Sequence, residues 1–147
     1  MDLSLIPHNA ILTPHHGEFT ALCLKSPVSS LHEQKVPDAQ KVEIFAKHYT
    51  CVVLLKGEQD IIGTPTGNMY EVVGGNAGMT KGGTGDVLAG LIAALACTNE
   101  ALLSTMAGSF VNKKAGDALY AIVGPFFNAT DLANQIPKTM KELLLEK

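Results

Sequence analysis

Tryptophan is absent from this 147-residue chain, aromatic residues reach only 5% and charged residues only 17%. No basic run occurs, and 11 Lys+Arg against 14 Asp+Glu leave a formal net charge of −3. A mildly acidic chain of this kind is not an electrostatic nucleic-acid binder. Cysteine is sparse: Cys23, Cys51 and Cys97 are widely spaced, and no C-x-x-C pair exists. Neither a zinc knuckle nor a disulfide framework is expected. Cys51 and Cys97 sit in apolar runs and are expected to be small core residues. The first nine residues lack the basic and long apolar regions of a secretory signal. The longest apolar stretch, Val87 to Cys97, falls short of the roughly 20 residues needed to cross a bilayer. No membrane association and a reducing, cytoplasmic location are the expectations.

What is present is apolar and glycine-bearing. Apolar residues make up 46%, there are 14 glycines, and the length suits one domain over residues 1–147. The segment Leu3 to Leu12 reads as a short approach and an apolar strand ending at Thr13-Pro14, with a short helix opening after Gly17. Lys25 to Gln40 is polar and contains Pro27 and Pro37, as a surface connection does. Pro37-Asp38 predicts a helix start, since proline in a first turn forfeits no needed hydrogen bond. Val42, Phe45, Ala46 and Tyr49 then share a face at helical spacing. The continuous run Cys51 to Leu55 predicts a buried strand. Ile61 to Gly63 and Met69 to Val73, flanking Thr64-Pro65-Thr66-Gly67-Asn68, predict a hairpin. Asp86, in a helix's first turn, opens an apolar segment with Val87, Leu88, Leu91, Ile92 and Leu95 spaced for a buried helix face, and its alanines permit close packing. Ala101 to Val123 predicts one or two helices, and Asp131 to Leu145 a last one broken by Pro137. Strands and helices alternate and then helices follow alone, which is an α/β pattern.

Six of the twelve residues from Gly74 to Gly85 are glycine. Glycines allow positive φ and bring several N–H groups toward one point. A helix directly behind them adds its own free N–H groups and the positive end of its dipole. Together these predict a phosphate site. It is not a P-loop, because Thr84 stands where lysine is required after Gly78 and Gly83. Nor is it a dinucleotide fingerprint, because Gly83 and Gly85 are followed by Leu88. Asp86 admits two readings. It could cap the helix, or it could take a proton from an attacking hydroxyl beside amides that stabilise a phosphoryl group. A carboxylate in an anion loop repels its ligand unless it has such a task.

The run Gly75 to Gly90, G-N-A-G-M-T-K-G-G-T-G-D-V-L-A-G, resembles the signature of the ribokinase-like NAD(P)H-hydrate dehydratases. Three further segments agree in order. Ile11 to Phe19 resembles the family's Thr-Pro-His-Pro-Gly-Glu-Phe segment, with His16 in place of the second proline. Val53 to Ile62 resembles its Lys-Gly nucleotide segment, and Asn128 to Leu132 resembles the start of its last helix. The resemblance implies a ribokinase-like layered sheet with flanking helices, matched from the middle of the family domain onward, the N-terminal half having no counterpart.

It also implies a nucleotide-driven lyase. ATP or ADP, with Mg²⁺, would phosphorylate the ring hydroxyl of hydrated NADH or NADPH, and loss of phosphate would restore the reduced cofactor. Carried over residue by residue, Asp86 is the base and a substrate contact, and His15 touches the hydrated dinucleotide. The backbone of Gly82, Gly83, Thr84 and Gly85 holds oxyanion and nucleotide phosphates. Lys56, Gly57, Glu58, Gln59 and Asp60 line the adenine nucleotide, and no protein metal ligand is carried over. Ordinary roles stand beside these. His15 and His16 could be turn residues, Lys56 could solvate a strand end, and Lys81 could be a surface charge. Met79 could pack the loop, and Phe126 and Phe127 could cover a core edge. Half a sheet predicts homo-oligomers or pairing with a complementary N-terminal chain, in keeping with a mean hydropathy of +0.18. Two alternatives remain: another ribokinase-like small-molecule kinase, and a non-catalytic nucleotide-binding fragment.

Overall fold

The computed structural model describes residues 2–27 and 36–145. They form two compact units, Met1–Val72 and Val73–Lys147. The middle of the expected surface connection, residues 28–35, lies outside the described residues.

Among the described residues, the first unit is a four-stranded mixed sheet with two helices. Its elements are a short 3₁₀ turn Leu3–Leu5, β1 (Ile11–Leu12), α1 (His16–Leu24), α2 (Asp38–Tyr49), β2 (Val52–Leu55), β3 (Asp60–Gly63) and β4 (Met69–Val72). The sheet order is β1-β2-β3-β4. β1 runs parallel to β2, which requires a crossover, and α1 and α2 lie along that crossover. The antiparallel pairs β2-β3 and β3-β4 are linked by short turns. All four residues of β2 are buried, as its unbroken apolar run predicts. Val42, Phe45 and Ala46 of α2 are fully buried and meet Phe19 and Cys23 of α1 together with Cys51, Val53 and Leu55. Phe45 sits at the centre, its ring 5.6 Å from that of Phe19 and 4.6 Å from that of Tyr49. In the β3-β4 hairpin, the Thr64 hydroxyl accepts from Asn68 N–H at 3.0 Å, and Gly67 takes φ 86°.

The second unit is helical: a 3₁₀ turn Ala77–Met79, α3 (Thr84–Ala96), α4 (Ala101–Val123) and α5 (Ala129–Leu145). Ala115, Leu132 and Ile136 form its buried centre, joined by Met79, Val87, Leu91, Val111, Leu119 and Met140. Gly108 of α4 lies directly against Ile92 of α3, so the small-residue helix does pack closely on a neighbour.

α3 begins at Thr84 and carries Asp86 in its first turn. α4 is one unbroken helix of 23 residues, within the one or two expected. Two expectations need correction. α5 runs through Pro137 without a break. Losing one backbone bond there costs about 3 kcal/mol, but Leu132, Gln135 and Ile136 before the proline and Thr139 after it are all buried. Packing on both sides holds the helix straight through. Finally, Cys97 is the exposed C-cap of α3, and Phe126 is 87% exposed while Phe127 is buried. Periodicity places a side chain on a face only within a helix, and both residues lie at or beyond helix ends.

The cysteines supply a direct check. Burial pushes the Cys51 thiol up to about 11 and raises that of Cys23. A thiol reagent at neutral pH is therefore expected to label Cys97 alone in the folded protein, because the thiolate is the nucleophile. Labelling of Cys23 and Cys51 should follow unfolding, and mass spectrometry of the labelled protein reads it.

Candidate functional site

In the first unit, the chain leaving β1 and the chain leaving β2 run side by side. His15 forms an isolated parallel bridge with Lys56, and Lys56 N–H donates to the Pro14 carbonyl at 2.9 Å. His15 is the N-cap of α1. Its Nδ1 accepts from Glu18 N–H at 3.2 Å, and Glu18 Oε2 accepts from His15 N–H at 2.8 Å. That is a capping box with histidine in the usual serine or threonine place. His16 falls at the first helical position, where proline is also favoured, so its substitution for the family's proline keeps the helix start. Its Nδ1 lies 3.1 Å from Asp38 Oδ2. Lys56 Nζ lies 3.8 Å from Glu18 Oε2.

Beyond Lys56, residues Gly57, Glu58 and Gln59 form an exposed turn, whereas Asp60 is buried and its Oδ1 accepts from Gly57 N–H at 3.0 Å. Asp60 therefore shapes the turn from within.

The hydrogen bond from His15 N–H holds the Glu18 carboxyl below its ordinary value of 4.5, with Lys56 and His15 adding to the effect. A lowered carboxyl stabilises the fold above its unfolded pKa, and this contribution disappears as pH falls through the folded value. Acid unfolding should thus become less steep below about pH 4.5 in Glu18→Gln. Urea midpoints measured from neutral to acidic pH check this.

In the second unit, the glycine-rich segment enters α3. Gly83 is the N-cap at φ 89°, a conformation that favours glycine. Thr84, buried at the first helical position, donates its hydroxyl to the Met79 carbonyl at 2.6 Å and the Lys81 carbonyl at 2.8 Å. Among the described residues, the N–H groups of Gly82, Gly83 and Gly85 have no acceptor. Space around Gly82 is open where a side chain would stand. Asp86, at the third helical position, is exposed, and no described residue forms a hydrogen bond or ion pair with its carboxylate. Its side chain is not spent on capping. The donor set and the open space fit a phosphate group.

Lys81 is used structurally. Its Nζ donates to the Pro125 carbonyl and, at 2.7 Å, to the Phe127 carbonyl, 5.4 Å from the Phe127 ring centre. Met79 packs against Gly116. α5 carries its own capping box: Asn128 Oδ1 accepts from Thr130 and Asp131 N–H, and Asp131 Oδ2 accepts from Asn128 N–H. All eleven Lys+Arg residues of the sequence are lysines. Among the described residues, no group of three or more His, Cys, Asp or Glu side chains is placed to hold a metal ion.

The sequence model of the NAD(P)H-hydrate dehydratases (Carb_kinase) matches residues 2–138. The chain belongs to this family. It is 41% identical over 137 residues to the bifunctional NAD(P)H-hydrate repair enzyme Nnr of Archaeoglobus fulgidus, covering 92% of this chain and 26% of that one. Among solved structures, it resembles an ADP/ATP-dependent NAD(P)H-hydrate dehydratase from Bacillus subtilis, co-crystallised with ATP/Mg²⁺. That likeness has a TM-score of 0.77 and 28% identity, over 91% of this chain and 49% of that chain. A ribokinase-like superfamily protein from Enterococcus faecalis gives a TM-score of 0.73 at 28% identity, over 92% of this chain and 45% of the other. The chain thus spans about a quarter of the bifunctional relative and about half of each solved chain. The α/β, ribokinase-like fold expected of a dehydratase-family member is the one observed.

Several residues around these segments were not anticipated. Glu18 completes the His15 cap, and a glutamate three positions after a cap was the available signal. Asn76, Lys113 and Asp117 tie the glycine-rich segment to α4, and nothing local in the sequence announces partners about forty residues apart.

Proposed function

We propose that this chain serves nucleotide-dependent repair of hydrated NADH and NADPH. The observation that carries the reading is the turn into α3, where, among the described residues, three N–H groups find no acceptor beside a carboxylate that finds no partner. ATP or ADP is the phosphoryl donor. Gly82, Gly83 and Gly85 hold the phosphoryl oxygens through backbone N–H groups and the dipole of α3, while Thr84, whose N–H donates to the Lys81 carbonyl at 3.3 Å, fixes the turn between them. Asp86 accepts the proton of the ring hydroxyl as that oxygen bonds to the terminal phosphorus and the shortened nucleotide leaves. Phosphate then departs with the carbon–oxygen electron pair, and loss of a proton from the neighbouring ring carbon restores the double bond.

The exposed Gly57-Glu58-Gln59 turn supports a role for Lys56 to Asp60 in binding the adenine nucleotide, with Asp60 fixing the turn's shape. The half-exposed His15 ring supports a contact to the hydrated dinucleotide, its orientation set by the Glu18 cap. Mg²⁺ bound to the nucleotide would neutralise phosphate charge.

Self-association, or pairing with a chain that carries the rest of the family domain, is part of the same reading. The exposed side chains of Leu103, Ile122, Phe126 and Leu144 support it. The three free thiols accord with a reducing, cytoplasmic setting. The test is recovery of reduced-nicotinamide absorbance from hydrated NADH on adding ATP or ADP with Mg²⁺. Recovery with stoichiometric release of phosphate upholds the proposal. Folded protein that yields neither, alone or as its oligomer, contradicts dehydratase activity for this chain.

A further inference from the structure

The segment Gly74 to Met79 carries no charged side chain, yet one face of α4 fastens it through Lys113, Gly116 and Asp117. Lys113 Nζ donates to the Gly74 carbonyl at 3.1 Å, and Gly116 leaves room for the Met79 sulfur. Asp117 accepts from Gly75 N–H at Oδ2 (3.2 Å) and from Asn76 Nδ2 at Oδ1 (3.1 Å). Asn76 Oδ1 in turn accepts from Gly78 N–H at 3.0 Å.

The direction of each bond is forced. Backbone N–H groups only donate and a carboxylate only accepts. Asn76 must therefore aim its nitrogen at Asp117 and its oxygen at Gly78. Met79, the residue after Gly78, receives the Thr84 hydroxyl, and Thr84 opens α3. A connected series of bonds thus runs from α4 through Asn76 and the 3₁₀ turn to the N–H groups of Gly82, Gly83 and Gly85. Gly74 and Gly75 take φ 114° and 78°, so the segment departs from the backbone conformation that ordinary residues hold unaided.

We propose that Asp117 and Asn76 are a positioning pair: their one-way hydrogen-bond relay sets the glycine-rich turn in the shape that receives phosphate. The ligand rests on the nucleotide reading above, but the relay itself does not.

The polarity of the relay makes it testable by exchange of the two side chains. Asp117→Asn alone confronts a donor with a donor, at Asn76 or at Gly75 depending on how the new amide turns. Asn76→Asp alone sets two carboxylates face to face. Asn76→Asp combined with Asp117→Asn reverses only the central bond. The carboxylate then accepts from Gly78 N–H and from the amide of position 117, whose oxygen accepts from Gly75 N–H, and net charge is unchanged.

Amide hydrogen exchange at Gly75 and Gly78, and Mg–ATP affinity by calorimetry, are to be measured on the folded full chain. Each single substitution is expected to speed exchange at both glycines and weaken ATP binding by about tenfold. The exchanged pair should restore both to near native values. Native exchange rates in the single variants, or no restoration in the pair, overturn the relay. Unchanged ATP affinity in single variants whose exchange has risen overturns the positioning role. A native chain that binds no Mg–ATP contradicts the nucleotide reading and the purpose assigned to the pair, while restoration of exchange in the pair alone still upholds the relay.

Discussion

On the proposed dehydratase reading, replacing Asp86 by asparagine is expected to lower recovery of reduced cofactor by roughly 10²–10⁴-fold, the span ordinarily lost with a general base. The same variant should bind Mg–ATP at least as tightly as the native chain, because a negative charge beside the phosphates is removed. This split separates the two roles open to the residue. Asp86 stands at the third position of α3, and no hydrogen bond to the α3 backbone engages its carboxylate. A capping carboxylate would register chiefly in stability. Steady-state rates, ATP titration and thermal unfolding of the one variant distinguish them: a lowered melting temperature with native turnover would return Asp86 to the cap.

Phe45→Ala is expected to cost about 3–5 kcal/mol, the usual range for deleting a fully buried aromatic ring. Phe45 is wholly buried at the meeting of α1, α2 and the sheet, edge-on to Phe19 and in contact with Tyr49. Neighbours of that size, themselves anchored on two helices, collapse poorly into the space it leaves. Against a total stability of about 5–15 kcal/mol for a domain, the loss brings the fold close to its limit. Denaturant unfolding of the variant reads it directly, and a change below about 1 kcal/mol would mean that the α2 face is not the centre of this core.

How far the sequence could be read follows from the range of the forces involved. β2 and the buried face of α2 were legible because one residue type repeats at one period, and burial acts on every position of it. The turn into α3 was legible because six glycines and a following apolar helix have few other uses. Cys97 and Phe126 were misplaced because they lie where helical periodicity stops. Pro137 was read as a break from its local cost, which long-range packing on both sides of it outweighs. His15 was read as a substrate contact or a turn residue, and its work as the cap of α1 depends on a Glu18 bond that residue type alone does not announce. Asp117 was silent altogether, since its partners Gly75 and Asn76 lie far off in sequence and are joined to it only by folding.

The most direct measurement is a titration of the uniformly ¹⁵N-labelled chain with Mg–ADP, followed at the backbone amides. Saturable shifts concentrated at Gly82, Gly83 and Gly85, with Asn76 and Gly78 moving less, are the predicted result. Binding that leaves those three amides unmoved, or no binding at all, would contradict the assignment of the turn into α3 as the phosphate site.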